Sequence, residues 1–493
     1  MNDYQKLVSH FKKISRYKHL EAICGWDQAA VMPSGGYQAR AESMAELSVH
    51  LHQLLNEPQL ADWFENAKNQ ELSSSHTASL KEMKRQWQHA SVLPESLVQA
   101  KSLVGSKCEH DWRIQRGDND WQGFSKNFAK VVTLSQEEAQ IRAQTSGLTP
   151  YDAMLDLYEP GTTTKSLDIL FNNVKTWLPD LIEKINEKQQ SEHFVAPQGV
   201  YPEAQQKQLG LDVMKMLGFD FNHGRLDVSM HPFCGGVPSD VRITTRYDDQ
   251  DFVQSLMGIV HETGHARYEQ GLPSSTGGLP VDAARSMGIH ESQSLFFEMQ
   301  LGRSKAFIKH LAPMAGAAFE QANSTVFEND NFYKLYTRVS PGFIRVDADE
   351  VTYPAHVILR YEIERDLMNG VITYKDIPDL WDQKMRGYLG LSTKGNYTNG
   401  CMQDIHWTDG SFGYFPSYTL GAMYAAQFMS AMNNACDVTC AIEQKDFSPI
   451  FKWLGENIWS KGSSLSTDEL VKSATGETLN ANYFKTHLEN RYL

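Results

Sequence analysis

Cysteine is scarce in this chain, with six residues among 493: Cys24, Cys108, Cys234, Cys401, Cys436 and Cys440. So few and so scattered, they exclude a fold stapled by disulfides and predict free thiols in a reducing compartment. Cys436 and Cys440 sit four positions apart, but no second pair accompanies them, so no thiolate metal site is expected there. Long hydrophobic runs are missing as well. Nothing approaches the roughly 18 unbroken apolar residues of a membrane span, and the first helical stretch lacks the apolar centre of a secretion signal. Positive charge is in deficit, with 46 Lys and Arg against 60 Asp and Glu and a net charge of −14. That balance argues against nucleic acid or an anionic membrane as a partner. Low-complexity tracts and internal repeats are absent. Cytoplasmic is the resulting expectation.

Hydrophobic residues make up 41% and charged residues 22%, the proportions of a soluble globular protein. The length suits two or three domains, or one large body split by a cleft. Amphipathic periodicity predicts helices near 2–20, 37–56, 76–91, 95–117, 121–146, 164–189 and 203–218. Trp26-Asp27 and Met32-Pro33 are expected to form a helix-to-loop corner. Between Arg225 and Asp249 the pattern turns to β-branched alternation with Gly and Pro breaks, which predicts two or three short strands. Helical spacing resumes at 251–270, 282–312, 349–369, 375–389, 416–435, 446–459 and 480–490. The fold class read from this is mainly α: one helical body in two lobes about a groove, with a small β-sheet beside the helix at 251–270.

That helix carries His261-Glu262-Thr263-Gly264-His265, an H-E-x-x-H pattern. Residues four apart lie on one helix face, so His261 and His265 can offer two imidazoles to one Zn²⁺. Glu262 can then stand beside a water on the metal and take its proton. A third ligand is needed. In the run from Asp282, read as a helix N-cap, Glu291 follows His265 by 26 positions, across a turn-rich connector that lets the second helix fold back. His290 competes for the role but points about 100° away, and Glu298 is expected to be solvated. Leu295 stands where many two-His, one-Glu enzymes place an acidic partner for a metal-bound histidine, so another residue must serve; Asp347 and Asp349 are the guesses.

Such a set hydrolyses amides. His406, Tyr414 and Tyr418, in the glycine-rich loop 400–421, are the candidate donors to a tetrahedral oxyanion, with packing as the alternative role for the tyrosines. An exopeptidase also needs a cation for the free α-carboxylate, and arginine suits because its guanidinium forks onto a carboxylate. Arg345 is the first candidate, with Arg242 and Arg246 behind it. Pairing of Arg345 with Asp347 or Asp349, and of Arg242 with Asp240, is the alternative. The strand Val241–Thr245 is the candidate edge for holding a substrate backbone by strand addition.

HPF at 231–233, DVRIT at 240–244, HETGH at 261–265, HESQS at 290–294, IRVDAD at 344–349 and GCMQDIHW at 400–407 together resemble the successive signature motifs of the carboxypeptidase Taq family. The resemblance spans the chain and implies a fold like that of angiotensin-converting enzyme and neurolysin. In that arrangement residues 1–220 form a helical lobe capping the groove and 221–493 the metal-site lobe of a single peptidase unit. It implies stepwise release of single residues from peptides with a free C-terminus, zinc that cobalt can replace, and a homodimer. By the same resemblance His261, His265 and Glu291 bind metal, Glu262 is the base, and His231, Arg345 and His406 shape the substrate site. The competing readings are an oligopeptidase or dipeptidyl carboxypeptidase, and, from another class, an inactive metal-stabilised peptide-binding scaffold.

Overall fold

The computed structural model describes residues 1–493, with twenty α-helices and one three-stranded sheet. The mainly α expectation holds. The first helix, Asp3–Ala30, opens on a capping box at Asn2 and Gln5 and continues well past the expected end near residue 20. Trp26 and Asp27 lie in its last turns, and the expected helix-to-loop corner follows them at 31–33, where the Asp27 carbonyl accepts from Val31 and Met32. Helices Gln59–Lys68, Pro150–Leu155, Asn329–Tyr336, Val438–Glu443 and Thr467–Thr475 were not anticipated. Each is ten residues or shorter, too brief to display a repeated apolar stripe.

Burial divides the chain unevenly. One core of 85 residues runs from Cys108 to Tyr492, while a separate core of 13 holds Tyr4, Leu7, Phe11 and Ile14 with Leu279 and Val281. Packing thus changes over near residue 90, and helices Trp121–Ser146 and Thr164–Gln190 share the larger core. The two bodies are joined by a buried ion pair: Arg285 Nη1 donates to Glu82 Oε1 at 2.9 Å and to the Ser463 carbonyl at 3.1 Å. A pair this dry is held only if both partners stay.

The sheet comprises β1 (Gly224–Val228), β2 (Cys234–Val237) and β3 (Asp240–Thr245). Its order is β1-β3-β2, with β3 parallel to β1 and antiparallel to β2. Alternation along β3 turns Val241 and Ile243 onto Leu226, Ile259 and Ala266, which seats the sheet on the H-E-x-x-H helix. This corrects one expectation. Val241–Thr245 is the central strand, paired on both sides, so its backbone cannot accept a further strand. β2 is an edge strand beside the H-E-x-x-H helix, and charge on Glu262 and Glu269 acts on its Cys234 thiol.

The H-E-x-x-H helix spans Phe252–Gly271 and is capped by Asp251, which accepts from the backbone of Val253 and Gln254; such a cap stabilises by about 1 kcal/mol. Phe252, Leu256, Ile259 and Val260 form its buried stripe, as the periodicity predicted. The second helix starts at Met287, capped by Ser286. Asp282 is not its cap: it sits in a one-turn 3₁₀ piece and accepts from Thr276 Oγ1 at 2.5 Å, fastening the connector. The predicted single helix 282–312 is in fact three pieces, with a π-helical stretch at Phe296–Gly302 between Met287–Leu295 and Lys305–Ala318. π-turns inside α-helices often mark functional sites, and here the stretch contains Glu298.

Two glycines set how closely these helices meet. A Cβ on Gly264 would lie 2.5 Å from the Gln293 carbonyl oxygen and 2.6 Å from Ser294 Cα. On the opposite side, a Cβ on Gly421, in helix Pro416–Ala435, would lie 2.7 Å from Glu291 Cβ. The helix bearing Glu291 is thus clamped between two neighbours, with no room for one added methyl on either. We predict that Gly264→Ala destabilises the protein by about 1–3 kcal/mol, the usual cost of overpacking, read as a lower denaturant midpoint, and weakens metal binding by prising Glu291 from the histidines.

Candidate active site

One helical turn brings His261 and His265 side by side, with ring centroids 5.0 Å apart. Glu291 faces both: its Oε1 is 3.9 Å from His261 Nε2 and its Oε2 is 3.6 Å from His265 Nε2. The three side chains can place one ligand atom each within 4.8 Å of one another. In both rings Nδ1 is engaged elsewhere and Nε2 is turned towards Glu291. Two imidazoles and a carboxylate in this arrangement fit a divalent ion. Glu262 is buried beside them, and its Oε2 has no hydrogen-bond partner. An orphaned carboxylate oxygen next to a ligand set is what a base waiting for a water would show. His290 does not reach the cluster as a ligand. It lies behind His265, Nδ1 to Nδ1 at 2.6 Å.

Glu298 was expected to be solvated and is not. Seven residues are about two turns, so Glu298 returns to the face of Glu291, and that face is covered by the H-E-x-x-H helix. Its Oε2 meets His261 Nδ1 at 2.8 Å, and Arg303 Nη2 donates to its Oε1 at 2.6 Å. Asp347 and Asp349 do not hold a metal-site histidine; Asp349 instead accepts from the backbone of Ser340, Val351 and Thr352. The electrostatics follow from crowding in a dry place. Burial opposes the charged ring of His261, yet Glu298, Glu291 and Glu262 together hold it up at about 10. Burial likewise opposes ionisation of Glu298, but Arg303 and His261 hold it down at about 2. Glu262 is pushed up to about 7, and Glu291 is also raised, in both cases first by burial and then by neighbouring carboxylates. Three carboxylates share this pocket, an environment that calls for a cation.

Beside this acidic centre lies a cationic one. Arg345 Nε donates to Asp404 Oδ1 at 3.0 Å and its Nη1 to Tyr353 Oη at 2.8 Å, with the guanidinium 4.8 Å from the centre of the Tyr418 ring. Neither Asp347 nor Asp349 pairs with it. Arg360, wholly buried, donates from Nε to Asp404 Oδ2 at 2.6 Å. His406 Nε2 is 3.3 Å from Tyr418 Oη, and the Tyr414 ring is 5.3 Å away. Burial, with Arg345 second, drops the His406 imidazole to about 4, so it is neutral at physiological pH. Charge on Glu291 reaches Tyr353, Tyr414 and Tyr418, so this group lies within electrostatic reach of Glu291.

Two arginine candidates fall away. Arg242 is occupied, forked onto Asp240 at 2.9 and 2.7 Å and stacked 4.8 Å over Trp26. Arg246 is exposed, just past the end of β3. His231 is exposed between β1 and β2, with its carbonyl, not its ring, bonded to Ser229. Sequence reasoning missed Asp404, Arg360 and Tyr353. The only signal for Asp404 was its place in the GCMQDIHW motif.

This architecture is shared with known proteins. The chain matches the carboxypeptidase Taq (M32) metallopeptidase family from residue 6 to residue 492. It belongs to that family. Carboxypeptidase 1 of Bacillus subtilis is 35% identical over 488 residues, spanning 98% of this chain and 96% of the relative. Thermostable carboxypeptidase 1 of Thermus thermophilus is also 35% identical, over 99% of this chain and 98% of its own. The solved metallocarboxypeptidase 1 of Trypanosoma cruzi superposes with a TM-score of 0.97 at 45% identity, covering 99% of each chain. The protein is thus a metallocarboxypeptidase, with peptides as substrates and a divalent metal as cofactor. No helix of this carboxypeptidase is long and apolar enough to cross a membrane. Because the Glu298 carboxylate orients His261, we expect Glu298→Gln to weaken metal affinity by about 10- to 100-fold, measured by competition with a chromophoric chelator.

Proposed function

We propose that this carboxypeptidase releases single residues from the free C-terminus of peptides, with zinc bound by His261, His265 and Glu291. The donor set, two imidazoles and one carboxylate, supports zinc, and cobalt accepts the same donors. When bound, the metal supplies Lewis acidity towards the scissile carbonyl and makes a water available as nucleophile at neutral pH. Glu262 takes the proton of that water on its free Oε2 and hands it to the departing amine. Burial raises the affinity of Glu262 for that proton, which suits a group that must both accept and return it. His406, Tyr414 and Tyr418 are the proposed donors to the charge that builds up on the carbonyl oxygen.

The observation that carries the exopeptidase reading is the charge count around Arg345. Two guanidinium groups share one carboxylate, Asp404. The neighbouring His406 and His356 are held neutral, at about 4 and about 3, by burial and the nearby arginines. One positive charge is left over in a buried place, where an unpaired charge is costly. A terminal carboxylate supplies the missing anion. It would meet Arg345 one residue beyond the bond that Glu262 serves.

Two results are expected. A free peptide should be trimmed at least about 30-fold faster than its C-terminally amidated twin, since losing one partner of a buried charge pair costs about 2–5 kcal/mol. Equal rates, followed by mass spectrometry, would instead support an oligopeptidase. Glu262→Gln should retain stoichiometric metal while kcat falls by about 10²- to 10⁴-fold, and near-normal turnover would remove Glu262 from its role.

A further inference from the structure

The two metal-site histidines are supported differently, and the difference constrains where protons sit. His261 Nδ1 meets a carboxylate, Glu298 Oε2, at 2.8 Å. His265 Nδ1 meets another imidazole, His290 Nδ1, at 2.6 Å, and the far nitrogen of that ring, His290 Nε2, lies 2.8 Å from Glu269 Oε1. Ligating histidines usually give their second N–H to a carboxylate, a carbonyl or water. Here a histidine fills that place, and the carboxylate stands one ring further back. Glu269 comes from the H-E-x-x-H helix, one turn after His265, so the chain leaves the helix through His265, crosses His290 and returns to the same helix.

A carboxylate can only accept, and a neutral imidazole has one donor and one acceptor nitrogen. Acceptance by Glu269 therefore fixes the proton of His290 on Nε2 and leaves its Nδ1 as an acceptor. The only partner that satisfies this Nδ1 is a proton on His265 Nδ1. With its proton there, His265 presents a bare Nε2 lone pair to the cleft, 3.6 Å from Glu291 Oε2. With a neutral imidazole at His290, every link has one allowed direction.

We infer that His290, aligned by Glu269, is a positioning residue that locks His265 in the Nδ1–H tautomer and so prepares its Nε2 to bind metal. This rests on the reading of His265 as a metal ligand and adds to it a role for the histidine of the HESQS motif. The relay also makes the two ligand histidines unequal. His261 leans directly on a carboxylate and is the more strongly donating ring, whereas His265 leans on another imidazole.

The test compares His290→Leu, which removes the acceptor, with His290→Asn, whose side-chain oxygen falls near the position of Nδ1. Zinc affinity is measured by chelator competition, and the melting temperature of the chelator-stripped protein serves as the control for packing. His290→Leu should bind zinc about 10- to 100-fold more weakly, and His290→Asn should stay within about threefold of the parent, with the stripped proteins melting alike. Equal zinc affinity in the Leu variant and the parent would overturn the proposal. So would equal loss in the Leu and Asn variants. Should either variant fold poorly, ¹⁵N shifts of the imidazoles in the zinc-loaded parent decide. His290 must show a bare Nδ1 and a protonated Nε2; a proton on His290 Nδ1 overturns the relay. If the parent itself bound no zinc stoichiometrically, the metal reading would fail first, an outcome distinct from failure of the relay alone.

Discussion

The rest of the structure depends on three helices meeting at backbone distance. Gly264 lets the H-E-x-x-H helix touch Gln293 and Ser294, and Gly421 lets the helix Pro416–Ala435 press on Glu291 from behind. Between them the segment Met287–Leu295 has no freedom to slide or turn. A metal site built from two helices needs its third donor placed to within a fraction of an ångström. Side chains on long tethers would not give that precision, and helices in van der Waals contact do. The same packing covers Glu262, Glu291 and Glu298, so precision and desolvation have one cause.

Desolvation then sorts the charges. At the metal end, three buried carboxylates and two imidazoles form a group that is short of positive charge. At the substrate end, Arg345 and Arg360 around Asp404 form a group with one positive charge to spare. Under the proposed function, a divalent ion would relieve the first imbalance and a peptide carboxylate the second. The two poles lie side by side, close enough for Arg345 to act on Glu291. On the same proposal, a peptide bound across them would have its last bond facing Glu262 and its terminal charge against Arg345. The N-terminal helices, with a core of their own, meet this body through Arg285 and Glu82 and through the stacking of Arg242 and Arg225 on Trp26. Arg242, an attractive candidate for substrate, is in this way engaged in joining the first helix to the sheet.

What the sequence determined by itself was whatever rests on local periodicity. Helix geometry sets His261 and His265 one turn apart wherever that helix goes, and the alternation from Arg225 to Asp249 marks a sheet whatever its partners. Glu291 was within reach because a short turn-rich connector forces the next helix to pack back. The tertiary structure decided every question of which face is covered and which group pairs with which. Glu298 looked like a solvated residue two turns along, and only the crossing of another helix makes it the partner of His261. β3 looked like an edge, and strand order is a long-range property that places it in the centre. The alternative weighed for Arg345 was pairing with Asp347 or Asp349, near in sequence, but its carboxylate partner is Asp404, 59 positions away. Covalent spacing governs what lies within a turn or two of helix, whereas pairing and burial depend on contacts between distant segments, and those are fixed only when the whole chain has closed around them.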